Sequence, residues 1–402
     1  MTYYIYRYTW LLEDINDLTQ NYQKLSVSIS RVNDILENRL YEDEKFGNKT
    51  LNNIKGTIEF KKVYFSYPDE DNILKDFNLE LEPNKKIAIV GSSGQGKSTL
   101  FNLITRIFDP NKGEIDIDGI NIKDLTEEDL RKNISIIRQE PFVFSRTIKE
   151  NFKIINNKIT LSKIRECTKL AYLDDYIMSL PKKYDTVLGE GGVNLSGGQK
   201  QRLSIARTLS KGSKIILFDE ATSALDNKSQ EYIKKTIDNL VKDHTIVIVA
   251  HRLSTIIDAD IIFVVDDGKV VSSGTHNELL KTSDIVSIHC PLNEQTKGLI
   301  GEESFKLMKK EAILINVGRG GIVDEEALVE ALQNNEIAGA GLDVFEREPL
   351  AKESPLLQIN DASKLLMTPH IAWATVEARN RLFDLVVDNI QGFLKGDLKN
   401  VC

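Results

Sequence analysis

Hydrophobic side chains recur at every third or fourth position near the start of the chain, with no intervening proline or glycine. The repeating positions are Trp10, Leu11, Ile15, Leu18, Tyr22, Leu25, Ile29, Val32, Ile35 and Leu36. This spacing follows the 3.6-residue period of an α-helix and predicts one long amphipathic helix from about Tyr3 to Asn38. Because the helix has an apolar face, we expect it to pack against another element, as a coiled or partner-binding helix does.

Further along the chain the pattern changes to alternation and to short apolar runs. The segments 56–60 and 63–67 alternate as two strands, and 114–119 has the pattern of a small hairpin. Continuous apolar runs, which are typical of buried strands, lie at 86–90, 134–137, 214–218 and 245–250. Segments with helical spacing separate these runs, so the sequence predicts an α/β fold.

A glycine-rich loop follows the apolar run at 86–90. Residues 91–99 have the sequence G-S-S-G-Q-G-K-S-T, which matches the phosphate-binding pattern G-x-x-x-x-G-K-[S/T]. Glycines allow backbone N–H groups to wrap a triphosphate closely, and the next helix directs its positive end at the phosphates. By this chemistry Lys97 would reach the β- and γ-phosphates, and Ser98 would bind Mg²⁺. The expected nucleotide-binding positions of the loop are Gly91, Ser92, Gly94, Gly96, Lys97, Ser98 and Thr99.

Polar residues at the ends of three buried strands are further candidates. Gln139 follows the strand at 134–137 and could complete Mg²⁺ coordination or contact the attacking water. Asp219 and Glu220 follow the run at 214–218, and their side chains project differently because side chains alternate along a strand. One of them can hold Mg²⁺ while the other faces a water. His251 follows the run at 245–250 and could hydrogen-bond a γ-phosphate.

A second anion-binding motif lies at the start of another helix. Ser196, Gly197, Gly198 and Gln199 precede or open a segment with helical spacing, and a helix N-terminus favours anions. One nucleotide does not need two such cradles from a single chain. We therefore expect the second motif to bind a nucleotide that another subunit holds.

Composition narrows the class of protein. The net charge of -8 argues against a nucleic-acid partner, because phosphate backbones are bound by surplus Lys and Arg. The three cysteines lack metal-ligand spacing, which indicates a reducing interior. No apolar run reaches the roughly eighteen residues of a membrane span, and the N-terminus has no signal-peptide pattern. We therefore expect no segment of this sequence to cross a bilayer by itself.

These motifs, in this order, resemble the ATP-binding-cassette (ABC) ATPases over roughly residues 56–281. Two further positions match the family, an aromatic A-loop at Tyr67, whose ring would stack on adenine, and a D-loop ending at Asp226. The resemblance implies a P-loop NTPase fold with a RecA-like core and a helical subdomain. The second anion motif, at 195–199, corresponds to the signature motif of the family. The resemblance also implies that two such domains enclose two ATP molecules, each between the phosphate loop of one chain and the signature motif of the other.

The same resemblance assigns catalytic roles. Glu220 would be the general base that polarises water. Lys97, His251 and the partner's Ser196 and Gly198 would stabilise the γ-phosphoryl group during transfer. Gln139 would join Ser98 and Asp219 as a ligand of Mg²⁺.

Two segments look like the exporter type of ABC protein. These are 139–151 and 188–192, which in such exporters contact coupling helices. The N-terminal helix and linker, 1–45, resemble the tail of the last transmembrane helix of an exporter, and 46–281 would be the ATP-binding domain. The expected partners are a second nucleotide-binding domain, identical or different, and an exporter membrane domain. The expected location is the cytoplasmic face of a membrane, and the residues that would choose the transported substrate are not in this sequence.

The sequence changes family after residue 281. Strand patterns at 284–292, 312–321 and 341–349, with helices between them, predict half of a doubly wound sheet. The region 282–402 is similar to the NAD-dependent D-isomer-specific 2-hydroxyacid dehydrogenases, which implies an incomplete Rossmann-like α/β segment. By this resemblance Arg319 would bind the substrate carboxylate, and Glu348 would pair with His370, the acid-base that exchanges a proton as hydride moves. Asp343 would contact the nicotinamide side.

The glycine loop and the acidic ribose-binding residue of that family should precede residue 283, where ABC-type sequence stands instead. The run 318–323 does not replace the loop, because Val323 occupies the position of the third glycine. We therefore do not expect tight NAD binding. The missing half of the sheet also predicts an unpaired strand edge at 285–289, which favours association.

Three functions stay open on this evidence. The first is ATP hydrolysis by an exporter nucleotide-binding domain that powers transmembrane transport as a dimer. The second is a bifunctional or misassembled chain with 2-hydroxyacid oxidoreductase chemistry, joined within 277–283, a segment that suits both families. The third is a soluble ABC ATPase without a transport role, which the acidic charge and the exporter-like segment 139–151 disfavour.

Overall fold

The computed structural model describes residues 2–36, 45–68, 70–92, 94–189, 192–220, 226–249 and 256–395. These residues form two units, one built from the chain up to residue 49 together with 123–127, and one from the rest. In the first unit, helix α1 (Thr2–Leu36) confirms the long helix predicted from the hydrophobic spacing. Its apolar side chains stay exposed, among them Trp10, Leu18 and Tyr22. Within the described ranges, no helix is both long and apolar enough to cross a membrane.

The second unit begins with two sheets and the helices that cover them. The strands are β1 (Ile58–Phe65), β2 (Leu74–Leu81), β3 (Lys86–Val90), β4 (Lys112–Ile117), β5 (Ile120–Asn121), β6 (Ile134–Ile137), β7 (Ile215–Asp219), β8 (Thr245–Val249), β9 (Ile261–Asp266) and β10 (Lys269–Gly274). The helices are α2 (Lys97–Ile104), α3 (Glu127–Asn133), α4 (Ile148–Lys153), α5 (Leu161–Leu170), α6 (Asp174–Ser179), α7 (Gly197–Lys211), α8 (Asn227–Leu240) and α9 (His276–Thr282).

One sheet is antiparallel and the other is mostly parallel. The first has the strand order β2-β1-β4-β5, and the second has the order β10-β9-β3-β8-β7-β6. Strands β3, β6, β7, β8 and β9 run parallel to their neighbours, and only β10 is antiparallel. The central strands β3, β7 and β8 are almost wholly buried, as their continuous apolar runs predicted. The carboxyl ends of these strands therefore meet at one edge of the sheet, next to the glycine-rich loop.

One strand differs from the prediction. The sequence indicated two strands, at 56–60 and 63–67, but the single strand β1 runs through both segments. Lys62 lies in the left-handed region (φ 48°), and the pairing of β1 with β2 shifts between Phe60 and Val63. A bulge of this kind absorbs an extra residue and bends the strand without ending it, so the alternation breaks while the strand continues.

The C-terminal part of the second unit has its own parallel sheet. Its elements are β11 (Ile285–Ile288), α10 (Glu302–Leu307), β12 (Ile313–Asn316), α11 (Glu325–Gln333), β13 (Gly339–Leu342), β14 (Leu365–Met367) and α12 (Val376–Lys395). The strands follow the order β11-β12-β13-β14, and all neighbours are parallel. In the described sheet β11 therefore lies at the edge, as predicted, and Ile285 on it is 60 % exposed.

Helix α9 joins the two parts of this unit. Leu279 packs against the hydrophobic core of the six-stranded sheet, whereas the next residue, Leu280, is buried in the core of the C-terminal sheet. The mixed α/β fold predicted for both parts is confirmed. The junction between them is a helix that contacts both cores.

Candidate active site

The glycine-rich loop connects β3 to α2, and its glycines are required by the conformation. Gly94 and Gly96 have φ values of 84° and 80°, which side chains rarely allow. A Cβ on Gly96 would come within 2.6 Å of the Ile73 side chain, and one on Gly91 would come within 2.2 Å of the Val265 carbonyl oxygen. The loop is therefore built for a close approach of the backbone, as a triphosphate requires.

Lys97 points back into this loop. Its Nζ donates hydrogen bonds to the carbonyl oxygens of Gly91 (2.8 Å) and Ser92 (2.7 Å), and the residue is only 6 % exposed. Burial lowers the pKa of Lys97, and the nearby charge of Glu220 opposes that shift. The ammonium group thus lies inside the loop, where phosphate oxygens would replace the carbonyl oxygens as its partners.

Two oxygen-bearing side chains meet beside the loop. The Ser98 hydroxyl donates to Oδ1 of Asp219 at 3.2 Å. Burial and the neighbouring charge of Glu220 raise the pKa of Asp219, with burial the larger cause. The hydrogen bond from Ser98 opposes this rise. A cation would relieve this cost of burying a carboxylate, and Mg²⁺ prefers oxygen ligands. The pair of residues therefore fits Mg²⁺.

Glu220 leaves the alternation of β7, which ends one residue earlier. Its φ is 48°, and its N–H donates to the carbonyl oxygen of Val249 in the adjacent strand at 2.9 Å. This turn of the backbone separates the direction of its side chain from that of Asp219. The two adjacent carboxylates can therefore serve different partners.

Tyr67 is fixed against the loop helix. Its hydroxyl lies 3.3 Å from the Thr99 hydroxyl and accepts a hydrogen bond from the Asn102 amide at 3.3 Å. The ring meets Phe65 and Phe108 edge-on, at centroid distances of 5.0 and 5.2 Å. Hydrogen bonds to α2 and aromatic packing thus place the ring next to the phosphate-binding loop.

Gln139 lies just past β6, in a segment that is tied to helix α7. The carbonyl oxygen of Arg138 accepts a hydrogen bond from the Gln201 amide at 3.2 Å. Gln201 belongs to the helix that the second anion motif opens, so a hydrogen bond connects this helix to the residue before Gln139.

The second anion motif caps α7. Ser196 is the N-cap residue: its hydroxyl accepts from the Gln199 N–H, and the Gln199 side chain accepts from the Ser196 N–H at 2.9 Å. Gly197 and Gly198 occupy the first turn, which carries no acidic residue, so the positive end of the helix is unopposed. A Cβ on Gly198 would come within 2.1 Å of the Ser229 hydroxyl in α8.

Asp226 is the N-cap residue of α8. Its carboxylate accepts hydrogen bonds from the Ser229 N–H (2.9 Å) and hydroxyl (2.8 Å). These bonds from Ser229 lower the pKa of Asp226. The signature glycine and the D-loop residue therefore share Ser229 as a neighbour. His251, for which a γ-phosphate contact was predicted, lies outside the described residues, as do 223–225 of the D-loop.

The C-terminal part brings together the predicted dehydrogenase residues. Nδ1 of His370 lies 2.8 Å from Oε2 of Glu348. This hydrogen bond lowers the pKa of Glu348, and the charge of Arg319 contributes in the same direction. The geometry is that of an imidazole oriented by a carboxylate.

Asp343 supports the loop that carries His370. It is 4 % exposed and accepts hydrogen bonds from the Thr368 hydroxyl and from the N–H groups of Ile371 and Ala372, at 2.5 to 2.8 Å. Burial opposes ionisation of Asp343, but these hydrogen bonds outweigh it and lower its pKa. The carboxylate thus has three partners within its own chain.

The residues of this part do not fit the pyrophosphate of NAD. The α-helices described in this part begin with acidic first turns, Glu302 and Glu303 in α10, Glu325 and Glu326 in α11, and Glu377 in α12. Such residues repel phosphate from a helix N-terminus. Gly320 lies in a short 3₁₀ turn where a Cβ would come within 1.8 Å of the Phe345 carbonyl group. That glycine permits packing of the chain against itself and does not open a phosphate loop.

Sequence reasoning missed three residues beside the second anion motif. Arg202, Tyr172 and Tyr232 come together next to Gly198, although they belong to three separate elements. Arg202 lies within the motif region, but nothing in its spacing indicated a partner. The two tyrosines carry no motif at all.

Comparison with known families supports the resemblance found for each part of the chain. Residues 74–223 match the family model for the ABC transporter, and residues 266–372 match that for the NAD-binding domain of D-isomer specific 2-hydroxyacid dehydrogenases. Both resemblances drawn from the motifs are confirmed. The second match begins before residue 281, although β10 and α9 still pack with the first part. The junction region thus matches the dehydrogenase family model while it packs with the first part of the chain.

Relatives of known class match the first part. ABC transporter B family member 2 of Dictyostelium discoideum is 47 % identical over 249 residues, 61 % of this chain and 18 % of the relative. A putative multidrug export ATP-binding/permease protein of Bacillus subtilis is 43 % identical over 267 residues, 66 % of this chain and 46 % of the relative. A Staphylococcus aureus protein of the same description is 50 % identical over 227 residues, 56 % of this chain and 39 % of the relative.

A solved structure described as a bacterial Atm1-family ABC exporter with ATP bound has a TM-score of 0.59 at 36 % identity. The match covers 64 % of this chain and 45 % of that chain. This chain therefore spans less than half the length of these relatives.

Proposed function

We propose that this chain, which joins an ABC transporter ATP-binding domain to a dehydrogenase-type segment, is the ATP-hydrolysing part of an exporter and works as a dimer. The observation that carries the proposal is the meeting of Lys97, Ser98 and Asp219 at the carboxyl ends of β3 and β7. The exporter relatives and the exporter structure support the same function.

At this site each side chain has a distinct task. Lys97 would hold the β- and γ-phosphates of ATP, and Ser98, Asp219 and Gln139 would hold Mg²⁺. The metal supplies positive charge to the phosphates when bound. Glu220 would orient the attacking water and accept its proton. His251 would hydrogen-bond the γ-phosphoryl group as charge develops on it.

The second anion motif supports a dimer as the active form. The first turn of α7, with Ser196 as its cap, is an anion-binding helix end that packs on α8 and its N-cap Asp226. In a dimer this turn would bind the γ-phosphate of the nucleotide that the other nucleotide-binding domain holds. The partner is a second copy of this domain or a related one.

Two features support a membrane-domain partner. Helix α1 exposes a row of large apolar side chains. In the second unit, a cavity of about 400 Å³ lies between β6, α3 and α7, and its walls include Ile155, Arg131 and Arg207. Arg207 also contacts Phe144 and Asn151 of the exporter-like segment 139–151, so coupling helices of a membrane domain would dock there. We therefore propose that the domain lies at the cytoplasmic face of the membrane.

A second candidate function is NAD-dependent oxidoreductase chemistry. It rests on the pair His370 and Glu348 and on the family match of residues 266–372. The acidic helix ends weigh against tight NAD binding, so we propose that this part does not act as a dehydrogenase. Titration with NADH, followed by nucleotide fluorescence, tests this: saturable binding would favour the second function.

Measurement of MgATP hydrolysis by the purified chain tests the first function. Glu220→Gln keeps the size of the side chain but removes the base, so turnover should fall by about 10²- to 10⁴-fold. Lys97→Ala should abolish tight nucleotide binding. Glu128→Gln, on the exposed surface of α3, is the matched control and should hydrolyse ATP as the wild type does. Unchanged turnover in both site variants would contradict the proposal.

A further inference from the structure

Three elements meet at the guanidinium group of Arg202. This residue, in the second turn of α7, is 9 % exposed. Its guanidinium carbon lies 5.0 Å from the centroid of the Tyr232 ring in α8, and Nη1 donates to the carbonyl oxygen of Tyr172 at 2.9 Å. The rings of Tyr172 and Tyr232 are themselves stacked, with centroids 5.2 Å apart and planes 21° from parallel. One cation and two rings thus connect α7, α8 and the segment after α5.

The same guanidinium group also contacts the signature turn, which is the first turn of α7 with its N-cap Ser196. Its Nε donates to the carbonyl oxygen of Gly198 at 3.3 Å. Burial lowers the pKa of Arg202, and the negative charge of Asp226 is among the factors that oppose the shift. A buried cation needs compensating contacts, and a ring face beneath it is one of them. Loss of the Tyr232 ring would therefore loosen the group that holds Gly198.

Gly198 in turn rests on the start of α8. Ser229 occupies the space where a Cβ of Gly198 would lie, and Ser229 is hydrogen-bonded to Asp226. A second contact fixes α8 farther along, where the Thr236 hydroxyl donates to the carbonyl oxygen of Leu170 at 3.0 Å. The signature turn and the N-terminus of α8 are thus held together at Ser229 directly and through Arg202.

We propose that Tyr172 and Tyr232 are positioning residues that, through Arg202, hold the signature turn and the N-terminus of α8 as one unit. Neither tyrosine is among the expected nucleotide-binding positions. Their effect is to transmit binding of a phosphate at Ser196 and Gly198 to Asp226 at the N-terminus of α8. The consequence for ATP turnover rests on the proposed function, whereas the mechanical link does not.

Amide hydrogen exchange on the full chain without nucleotide tests the link directly. Tyr232→Leu keeps apolar volume but removes the ring, and we expect exchange at 197–200 to accelerate by about tenfold or more because the turn opens locally. Tyr232→Phe keeps the ring and should exchange as the wild type does. Tyr176→Leu, in a half-buried tyrosine of α6, is the matched control and should leave exchange at 197–200 unchanged.

Wild-type exchange at 197–200 in Tyr232→Leu would overturn the proposal. Faster exchange everywhere, including β8, would show a general loss of stability. In that case Tyr172→Leu decides whether the tyrosines hold the signature turn. This residue is 38 % exposed, outside the helices, and its replacement should accelerate exchange at 197–200 alone. If Tyr172→Leu leaves those amides unchanged, the proposal is wrong.

Kinetics add the functional test. In Tyr232→Leu we expect kcat for ATP to fall by tenfold or more while the affinity of the monomer for ATP changes less than twofold, and Tyr232→Phe should restore kcat. A merely structural role would lower both together. If the wild type hydrolyses no ATP, the proposed function fails, and hydrogen exchange still decides whether the tyrosines hold the signature turn. If kcat of Tyr232→Leu equals that of the wild type, transmission to the catalytic site is refuted.

Discussion

The hydroxyl of Ser98 donates a hydrogen bond to Oδ1 of Asp219 at 3.2 Å, across 121 positions of sequence. Ser98 belongs to the first turn of α2, and Asp219 is the last residue of β7. Their meeting joins the phosphate loop to the acidic strand end, because both elements reach the same edge of a parallel sheet. The metal site expected from sequence thus has two of its oxygen ligands in contact.

This contact predicts how Mg²⁺ affinity changes. Asp219→Asn removes the charge of one ligand and keeps its shape, so the Mg²⁺ concentration needed for ATP binding should rise by about 10- to 100-fold, the value of one or two charged hydrogen bonds. Titration of Mg²⁺, followed by the binding of fluorescent ATP, measures this concentration. Asp238→Asn removes a carboxylate of α8 that pairs with Lys86 outside the site, and it should leave the titration unchanged. Equal Mg²⁺ curves for the wild type and Asp219→Asn would show that Asp219 is not a ligand.

The contacts of Tyr67 predict that loss of its ring weakens ATP binding more than loss of its hydroxyl. Tyr67→Ala should weaken ATP binding by about 5- to 100-fold, since stacking of a base on an aromatic ring is worth roughly 1–3 kcal/mol. Tyr67→Phe loses only the hydrogen bonds to Thr99 and Asn102, and it should bind ATP within a few-fold of the wild type. Equilibrium binding of fluorescent ATP distinguishes the two. A larger loss for Tyr67→Phe than for Tyr67→Ala would contradict stacking.

The pair Glu348 and His370 predicts a pH dependence. The pKa of Glu348 is lower in the fold than its ordinary value of 4.5, so its ionised form is stabilised by folding. This stability is fully present above pH 4.5 and is lost as pH falls through the lowered pKa. Urea unfolding of Glu348→Gln should therefore differ from the wild type at pH 7, and the difference should shrink below pH 4.5.

Trp373 offers a local probe for that experiment. Its indole N–H donates to the carbonyl oxygen of His370 at 2.8 Å, so its fluorescence reports unfolding of this loop. Glu377→Gln, at the start of α12, removes a carboxylate elsewhere and serves as the control. A difference between the wild type and Glu348→Gln that grows on acidification would refute the assignment.

The edge strand predicts self-association. Ile285 on β11 is exposed, and the edge of a sheet pairs readily with another strand. Ile285→Lys should lower association at high concentration, as measured by light scattering, without changing ATP binding. Val271→Lys is the matched control, because Val271 is equally exposed on the edge strand β10 of the other sheet. Equal association of the wild type and Ile285→Lys would exclude this edge as the contact.

Local pattern predicted the elements that periodicity controls. The helix α1 and the buried strands β3, β7 and β8 followed from apolar spacing alone, whereas the edge position of β11 followed from the half sheet that the dehydrogenase resemblance implied. The phosphate loop was also predictable, since glycine positions and the lysine are fixed by the close approach of the backbone. These features depend on residues that are neighbours in sequence.

Contacts between distant residues were predictable only where a family motif implied them, as for Ser98 with Asp219 and for Glu348 with His370. The bulge at Lys62 depends on pairing with β2, which no local pattern encodes. The partners of Asp343 lie 25 to 29 positions away, and the stack of Tyr172 with Tyr232 requires the packing of α8 beside the segment after α5. Tertiary structure alone brings these groups together.

Measurement of the oligomeric state of the Glu220→Gln chain in MgATP tests the central claim most directly. In the proposed dimer, removal of the general base would leave ATP bound between the phosphate loop of one chain and the signature turn of the other. Size-exclusion chromatography with light scattering should then show a dimer in MgATP and a monomer after its removal, with no dimer when Ser196→Arg is added to block the signature turn. A Glu220→Gln chain that binds MgATP and stays monomeric would contradict the account.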